Sequence, residues 1–335
     1  MNIRETMEQW ERQNLSPYAS LSSEALGRDR EEPLCDIRPA YQRDRDRILH
    51  SKSFRRLKDK TQVFLAPEGD HYRTRLTHTL EVSQIARTIA KALRMNESLT
   101  EAIALGHDLG HTPFGHAGEY ILNEICEDGF AHYKQSVRVV EILEKKGQGL
   151  NLTKEVRDGM LNHRTSGNPA TMEGKIVRFS DKIAYINHDI DDAIRGKIIT
   201  ERDIPREYAD VLGDTVKDRL NIMIHDIINN SMDRPSIFMS PDVERAMRGL
   251  REWMFEHVYR NPAAKGEEGR AQQLIVTLYE YYLKHVDELP EEYLAMMELR
   301  GEKRERVVCD YIAGMSDGYA IDRFEELFVP KGWNV

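Results

Sequence analysis

Apolar residues recur at helical intervals along most of this chain. Between residues 74 and 93, Leu76, Leu80, Ile85, Ile89 and Leu93 follow one another every four or five positions, and alanines widen the same face. This spacing is typical of an amphipathic helix, because 3.6 residues complete one turn. The same pattern predicts helices at about 97–109, 117–127, 133–145, 154–163 and 172–195, and about five more after residue 207.

Turn-forming strings separate these segments. HTPFGH (111–116) and RTSGNPAT (164–171) are rich in Gly, Pro and small polar residues. We find no sustained alternation of the kind that strands show and no internal repeat. The pattern therefore predicts an all-α protein with an irregular N-terminal segment (1–40), a core (41–200) and a helical C-terminal extension (201–335) packed on the same domain.

Composition narrows the class of protein. The chain has 335 residues, of which 40% are hydrophobic, and its net charge is -9. This charge argues against extended nucleic-acid binding, which requires a broad excess of Lys and Arg. Cys35, Cys126 and Cys309 form no paired motif, as expected for reduced thiols. The polar N-terminus and the absence of a long apolar run predict a cytoplasmic protein with no membrane contact.

Four residues in predicted helices form a set suited to a metal ion: His78, His107, Asp108 and Asp181. Imidazole nitrogen and carboxylate oxygen favour Mg²⁺ and first-row divalent ions over soft ones. A lone His-Asp pair is more often a surface pair or a hydrogen-bonded core histidine. Here, however, three histidines lie within ten residues beside glycines that break the helix. The set therefore indicates a divalent metal site for phosphate-ester hydrolysis.

The predicted helix at 172–195 presents a polar stripe. Asp181, Tyr185 and Asp189 lie at i, i+4 and i+8 and share one face, with Lys182 beside them. Isoleucines occupy the opposite side. An ordinary amphipathic helix also has a polar face, so the wall of a substrate pocket is one of two interpretations of this segment.

Several strings around these residues resemble one enzyme family. They are FRRLKDKTQVF (54–64), TRLTHTLEV (74–82), HDLGHTPFGHAGE (107–119) and SDKIAYINHDIDDA (180–193), with VVCDYIAGMSDGYA (307–320) near the C-terminus. The four metal-type residues resemble those of HD-domain metal phosphohydrolases. The strings are similar to the deoxynucleoside triphosphate triphosphohydrolases, the dGTPase-like family. The resemblance implies an all-α HD-domain bundle that cleaves deoxynucleoside triphosphates, such as dGTP, to deoxynucleoside and tripolyphosphate.

The resemblance also implies the roles of individual residues. The metal ligands of one divalent ion per chain (Mn, Mg, Fe, Co, Ni or Zn) are His78, His107, Asp108 and Asp181. An additional Mg²⁺ can accompany the triphosphate. The catalytic groups beside the α-phosphate are His111, His116, Glu119 and His132. Glu119 follows His116 by three residues and can orient its imidazole, so that this dyad activates the water or protonates the departing 5′ oxygen.

Substrate-binding residues follow from the same likeness. The implied set is Arg56, Gln62, Arg75, Lys182, Tyr185 and Asp189. Arg75 and Lys182 match phosphate-binding residues, Gln62 matches a residue that reads the 3′-hydroxyl, and Tyr185 with Asp189 matches groups that contact the deoxyribose. The family also implies a homo-oligomer, up to a hexamer.

Some positions depart from the family or leave alternatives open. Gly318 stands where many members carry arginine, and we interpret Lys58 and Lys60 as a solvated basic surface. Two other classes remain: an HD-type nucleoside monophosphate phosphatase or phosphodiesterase, and a non-catalytic nucleotide or nucleic-acid-binding protein. The first would share the metal ligands without needing the His116 and Glu119 dyad. The second would usually carry a degraded ligand set.

Overall fold

Helices dominate the structure. The computed structural model describes residues 1–62, 73–259 and 267–331. The described residues are 69% helical, and their β structure is an isolated bridge between Thr61 and Thr74. The predicted all-α fold is confirmed. None of the described helices is long and apolar enough to cross a membrane.

The helices follow one another with short connections. Their bounds are α1 Ile3–Asn14, α2 Ala40–Leu49, α3 Lys52–Arg56, α4 Arg75–Ala92, α5 Glu97–Gly106, α6 Gly115–Ile125, α7 His132–Arg138, α8 Lys154–Asn162, α9 Met172–Arg195, α10 Arg206–Leu212, α11 Val216–Ser231, α12 Pro241–Met254, α13 Glu268–Lys284, α14 Glu291–Arg300, α15 Arg304–Ala313 and α16 Asp317–Phe328.

Side-chain caps set where the central helices begin. Thr74 accepts a hydrogen bond from the Thr77 amide at the start of α4, and Thr171 accepts one from Gly174 at the start of α9. Asn96 accepts hydrogen bonds from two amides of α5. Each cap satisfies donors that have no partner inside the helix. Helix α9 has the predicted bounds, whereas α5 ends at Gly106, three residues before the predicted end.

Three predictions about the elements need correction. Residues 1–40 are not irregular throughout, because Asn2 and Glu5 form a capping box that starts α1. The predicted helix at 133–145 is α-helical only to Arg138 and continues as a π-helical turn over Val139–Leu143. After residue 205 the described chain contains seven α-helices, α10 to α16, rather than about five, because turns divide segments that share one apolar pattern.

Two groups of buried apolar side chains hold the helices together. The first includes Ile85 of α4, Ile103 of α5 and Ile183 of α9. The second joins Leu122 of α6 to the C-terminal helices through residues such as Ile275 and Ile312. Helix α4 packs against both α5 and α9, so polar groups at the start of α4, just after α5 and in the middle of α9 are brought to one place. The assignment of domain boundaries stays a prediction.

The turn after α5 passes unusually close to α7. A Cβ atom on Gly110 would lie 2.1 Å from the backbone nitrogen of Ser136. The Ser136 hydroxyl accepts a hydrogen bond from the Gly110 amide at 2.9 Å and donates one to the His107 carbonyl at 2.7 Å. This contact fixes the chain on both sides of the His-Asp pair.

We expect Gly110→Ala to lower the free energy of unfolding by about 1–3 kcal/mol or more, because the added methyl group collides with backbone atoms that have no free rotation. Urea unfolding measures the change. The control is Gly318→Ala in α16, where an added Cβ meets no atom within 4 Å, so that stability should stay the same or rise by up to about 1 kcal/mol. Equal stability of the Gly110 variant and the wild-type protein would contradict the close approach.

Candidate metal centre and active site

Three helices bring the predicted metal-binding residues together. His78 comes from α4, His107 and Asp108 follow the last turn of α5, and Asp181 comes from α9. The Asp181 Oδ1 atom lies 3.2 Å from His78 Nε2 and 3.7 Å from His107 Nε2. Ligand-type atoms of His78, His107 and Asp108 all lie within 4.8 Å of one another.

The state of His107 fits a metal ligand. Its Nδ1 lies 2.6 Å from the Ala104 carbonyl oxygen, so the ring proton sits on Nδ1 and donates to that oxygen. Its Nε2 is then a lone-pair atom, and it is buried without a hydrogen-bond partner. A buried polar atom in this condition is costly unless a ligand engages it. An imidazole held by its other nitrogen is also the usual arrangement at metal sites.

Both carboxylates of the cluster are held in the ionised form. Burial alone would raise their pKa values. Nevertheless, the neighbouring side chains of His107, His111 and Arg75 keep the pKa of Asp108 well below its usual range, and His78 with His107 lowers the pKa of Asp181. Two imidazoles and two anionic carboxylates form a donor set that suits a divalent first-row ion.

The predicted phosphate-binding residue Arg75 is hydrogen-bonded to groups of the protein. Its side chain is buried, and one guanidinium nitrogen donates to Asp108 Oδ2 at 2.8 Å. The other nitrogen donates to the Gln62 carbonyl at 3.3 Å. Arg75 therefore orients the Asp108 carboxylate and leaves Oδ1 facing the His107 and His111 rings, at 3.5 and 3.6 Å.

Sequence reasoning missed a second layer behind His78. His188 Nδ1 lies 3.4 Å from His78 Nδ1, and His188 Nε2 lies 3.0 Å from Glu81 Oε2. Arg73 reaches the same carboxylate at 3.3 Å. Since His78 Nε2 faces the cluster, its Nδ1–H can donate to His188, whose Nε2–H then donates to Glu81. A signal was available, because His188 lies seven residues after Asp181 on the same helix.

His163 is the other histidine that the sequence analysis missed. It is buried after α8, and its Nδ1 donates to the Met160 carbonyl at 2.7 Å. Its Nε2 lies 3.4 Å from Nε2 of His132, and its ring centroid lies 5.0 Å from that of His107. Burial, followed by the charges of His107 and His132, lowers the pKa of His163 to about 4. His163 is therefore a neutral acceptor that lies between the predicted metal ligand His107 and the predicted catalytic residue His132.

The four predicted catalytic residues lie together on the other side of Asp108. Glu119 accepts hydrogen bonds from the backbone amide and the Nδ1 atom of His132, both at 2.8 Å. His116 Nδ1 lies farther from Glu119, at 3.6 Å, and its side chain is 60% exposed. His111 stacks on His132 with ring centroids 4.2 Å apart. Glu119 thus has a second imidazole partner, His132, which the sequence analysis did not assign to it.

The pKa values of Glu119, His132 and His111 are shifted in different directions. Burial opposes ionisation of Glu119, but the imidazoles of His116 and His132 lower the pKa of its carboxyl far below the usual range. Burial likewise opposes the charged form of His132, and the hydrogen bond to Glu119 raises its pKa nevertheless. Burial and the positive charge of Arg75 hold the pKa of His111 well below its usual value. His132 is thus favoured in the charged form, whereas His111 stays neutral.

The predicted sugar-binding residues are partly buried beside this group. Tyr185 and Asp189 hydrogen-bond to each other along one face of α9, as their spacing predicts. The Tyr185 ring lies 6.5 Å from that of His116. The Gln62 side chain is buried, and its Oε1 atom has no hydrogen-bond partner among the described residues. An acceptor in that state can receive a hydrogen bond from a substrate hydroxyl.

The basic side chains near residue 58 differ in their exposure to solvent. Lys58 is exposed, as predicted. The interpretation of Lys60 as a surface residue is wrong, because its side chain is buried and its ammonium group donates to the carbonyls of His111 and Ala313. Arg56 donates to the Gly314 carbonyl at 2.6 Å. Both cations thus contact backbone oxygens of the turn that follows α15.

Comparisons with known proteins agree with this class of site. The sequence matches the HD domain family over residues 75–186 and the phosphohydrolase-associated domain family over residues 237–326. This chain therefore contains an HD domain, and its helical bundle carries the histidine and aspartate cluster described above.

Relatives identify the family more narrowly. A deoxyguanosinetriphosphate triphosphohydrolase-like protein of Caldanaerobacter subterraneus subsp. tengcongensis is 57% identical over 99% of this chain and 98% of its own length. One from Clostridium perfringens is 48% identical over 99% of both chains. The chain belongs to the deoxyguanosinetriphosphate triphosphohydrolase-like family, as its strings predicted. A solved structure of a hypothetical protein from Aquifex aeolicus is 20% identical, with a TM-score of 0.48 over 86% of this chain and 68% of that chain.

The contact between His188 and His78 leads to a prediction for metal binding. We expect His188→Leu to weaken the affinity for a divalent ion by about 10–100-fold, because the hydrogen bond that orients His78 is lost. Competition with a chelating dye measures the dissociation constant. His225→Leu, at an exposed position of α11, is the control and should bind as the wild-type protein does. Unchanged affinity in the His188 variant would contradict a role for this contact.

Proposed function

We propose that this protein hydrolyses deoxynucleoside triphosphates, dGTP among them, in one step to a deoxynucleoside and tripolyphosphate. The observation that carries the proposal is the buried cluster of His78, His107 and Asp108, with the unpartnered Nε2 of His107, beside the Glu119 and His132 pair. Membership of a family named for deoxyguanosinetriphosphate triphosphohydrolase supports the substrate class.

His78, His107, Asp108 and Asp181 would hold one divalent ion. When bound, such an ion supplies Lewis acidity toward the α-phosphoryl oxygens. Arg75 keeps Asp108 in place through the 2.8 Å hydrogen bond to Oδ2. His188 keeps the His78 ring in place from the opposite side.

Proton transfer falls to the imidazoles around Glu119. Water attacks the α-phosphorus, the bond from phosphorus to the 5′ oxygen breaks, and one proton must reach that oxygen. We assign this delivery to His116, because its side chain is 60% exposed and its Nδ1 atom lies 3.6 Å from the Glu119 carboxylate. His132 holds Glu119 in position through its Nδ1 atom, and the buried His163 lies 3.4 Å from the other ring nitrogen of His132.

The deoxyribose would lie against Tyr185. A phenol under the sugar ring leaves no space for a 2′-hydroxyl, and Asp189 holds that phenol by a hydrogen bond. The Gln62 side chain is assigned to the 3′-hydroxyl. A site of this kind discriminates strongly, because a misfit leaves buried polar groups without partners.

Product analysis tests the proposed reaction. Metal-loaded protein with each deoxynucleoside triphosphate should release tripolyphosphate and the deoxynucleoside, with no diphosphate intermediate, and ribonucleotides should react poorly. Asp108→Ala is the matched control, and elemental analysis should show that it loses the ion and the activity together. Orthophosphate and deoxynucleoside diphosphate as first products would indicate a phosphatase instead. Nucleotide binding without turnover would indicate a non-catalytic protein.

A second experiment tests the assigned proton donor. We expect His116→Ala to retain the fold and the metal and to lose about 10²–10⁴-fold in kcat, the usual contribution of a general acid or base. For p-nitrophenyl triphosphate the loss should be much smaller, because nitrophenolate departs without protonation. An equal loss for both substrates would move the role of His116 to activation of the water.

A further inference from the structure

One carboxylate of the C-terminal helices contacts two separate parts of the candidate site. Asp317, the first residue of α16, is half-buried. Its Oδ2 atom accepts hydrogen bonds from the backbone amide of Thr61, at 3.0 Å, and from the Thr61 hydroxyl. Its Oδ1 atom accepts one from the Phe114 amide at 3.0 Å. Each carboxylate oxygen therefore holds a different segment of the chain, and both segments are distant from α16 in sequence.

Both segments lead directly to predicted site residues. Thr61 precedes Gln62, whose buried Oε1 atom has no hydrogen-bond partner among the described residues and is assigned to the 3′-hydroxyl. Phe114 lies two residues before His116, the assigned proton donor. A hydrogen bond to a backbone amide fixes the main chain that carries the neighbouring side chains. Asp317 is therefore placed to orient both side chains through the backbone.

The turn before His116 has a conformation that requires support. Phe114 and Gly115 both have left-handed backbone angles, with φ of 61° and 56°. A residue other than glycine adopts such angles only when its surroundings stabilise them. Phe114 is also the cap residue of α6, and its side chain makes no capping hydrogen bond. An ionised acceptor forms a stronger hydrogen bond than a neutral one, so the bond to Asp317 stabilises this turn.

The two segments that Asp317 holds are also in contact with each other. A Cβ atom on Gly115 would lie 3.4 Å from the Gln62 carbonyl oxygen. The buried ammonium group of Lys60 donates to the carbonyls of His111 and Ala313. The segment of Gln62, the turn before α6 and the turn before α16 are thus packed against one another. A displacement of one of them would move the other two.

We propose that Asp317 is a positioning residue that locks the segment of Gln62 to the turn before His116. Recognition of the sugar 3′-hydroxyl and delivery of the proton then depend on one carboxylate of the C-terminal helices. This inference rests on the proposed function and deepens it, because it assigns part of the selectivity for the sugar to α16. Loss of the lock should lower turnover and selectivity together, whereas the metal ion should stay bound.

Hydrogen exchange measured by mass spectrometry tests the lock without turnover. Asp317→Asn preserves the size of the side chain but replaces one acceptor oxygen with an NH₂ group, which cannot accept from an amide. Amide exchange in the turn at 111–116 and around Thr61 should accelerate by about tenfold or more, because hydrogen bonds to charged groups are strong. Asp322→Asn, at an exposed position of α16, changes the net charge equally and should exchange as the wild-type protein does. Unchanged exchange of both segments in the Asp317 variant would overturn the proposal.

A substrate comparison tests the coupling to Gln62. We compare kcat/KM for a deoxynucleoside triphosphate and for its 2′,3′-dideoxy counterpart, which lacks the hydroxyl that Gln62 reads. Asp317→Asn should lower kcat for the first substrate and narrow the preference between the two by about tenfold, because the acceptor for that hydroxyl is displaced. Elemental analysis should find the metal content of the wild-type protein. An equal loss for both substrates would show a merely structural role and would overturn the coupling.

Thr61→Val is the second variant, and it carries the test if urea unfolding shows that the Asp317 variant does not fold. Valine has nearly the shape of threonine, so that the change removes the hydroxyl bond to Asp317 and retains the amide bond. The preference for the 3′-hydroxyl should narrow by a smaller factor than in the Asp317 variant. A preference equal to that of the wild-type protein would count against the lock.

Failure of the lock and failure of the proposed reaction give different results. If the wild-type protein hydrolyses no deoxynucleoside triphosphate while Asp317→Asn accelerates exchange in both segments, the lock stands and the reaction is wrong. If hydrolysis occurs while Asp317→Asn changes neither the exchange nor the preference, the reaction stands and the lock is wrong.

Discussion

The burial of several ionisable groups at one point is the constraint on which the rest of the structure depends. His78, His107 and Asp108 are almost fully removed from solvent, and an uncompensated charge in such a place costs several kcal/mol. The chain meets this cost with contacts that come from many elements. Arg75 donates a hydrogen bond to the Asp108 carboxylate. His188 accepts a hydrogen bond from His78, and the Ala104 carbonyl accepts one from His107. The Nε2 atom of His107 has no hydrogen-bond partner among the described residues, and it faces the place where an ion would bind.

The same reasoning connects the metal cluster to the proton-transfer group. His163 lies between His107 and His132, and its own Nδ1 is fixed by a backbone carbonyl. A ring in that position transmits orientation from one half of the site to the other without itself carrying charge. Because His132 is also hydrogen-bonded to Glu119, a displacement of the His107 ring would change the position of Glu119. The two halves are therefore in contact through the ring of His163, so that separate substitutions in them are not expected to act additively.

The sequence predicted those parts of the site whose geometry is local. A period of 3.6 residues gave the helices, and the i, i+4 spacing correctly placed Tyr185 and Asp189 on one face of α9. Contacts between distant segments were missed. Lys60 looked like one more surface lysine in a basic run, since nothing near it in sequence indicates the carbonyls of His111 and Ala313. His163 was missed for the same reason. His188 lies seven residues after Asp181 on the same helix, but its role depends on the His78 ring, which another helix supplies.

These distant contacts also show that the site is not confined to the HD domain. The family match spans residues 75–186, but Asp317 of α16 accepts hydrogen bonds from the amides of Thr61 and Phe114 at 3.0 Å. Phe114 has a left-handed backbone conformation, with φ of 61°, immediately before the helix that carries His116 and Glu119. A residue other than glycine holds that conformation only when its surroundings stabilise it. One carboxylate of the C-terminal helices therefore joins the turn before the helix of His116 to the segment that presents Gln62, and the geometry of the candidate site depends on the chain well beyond its HD domain.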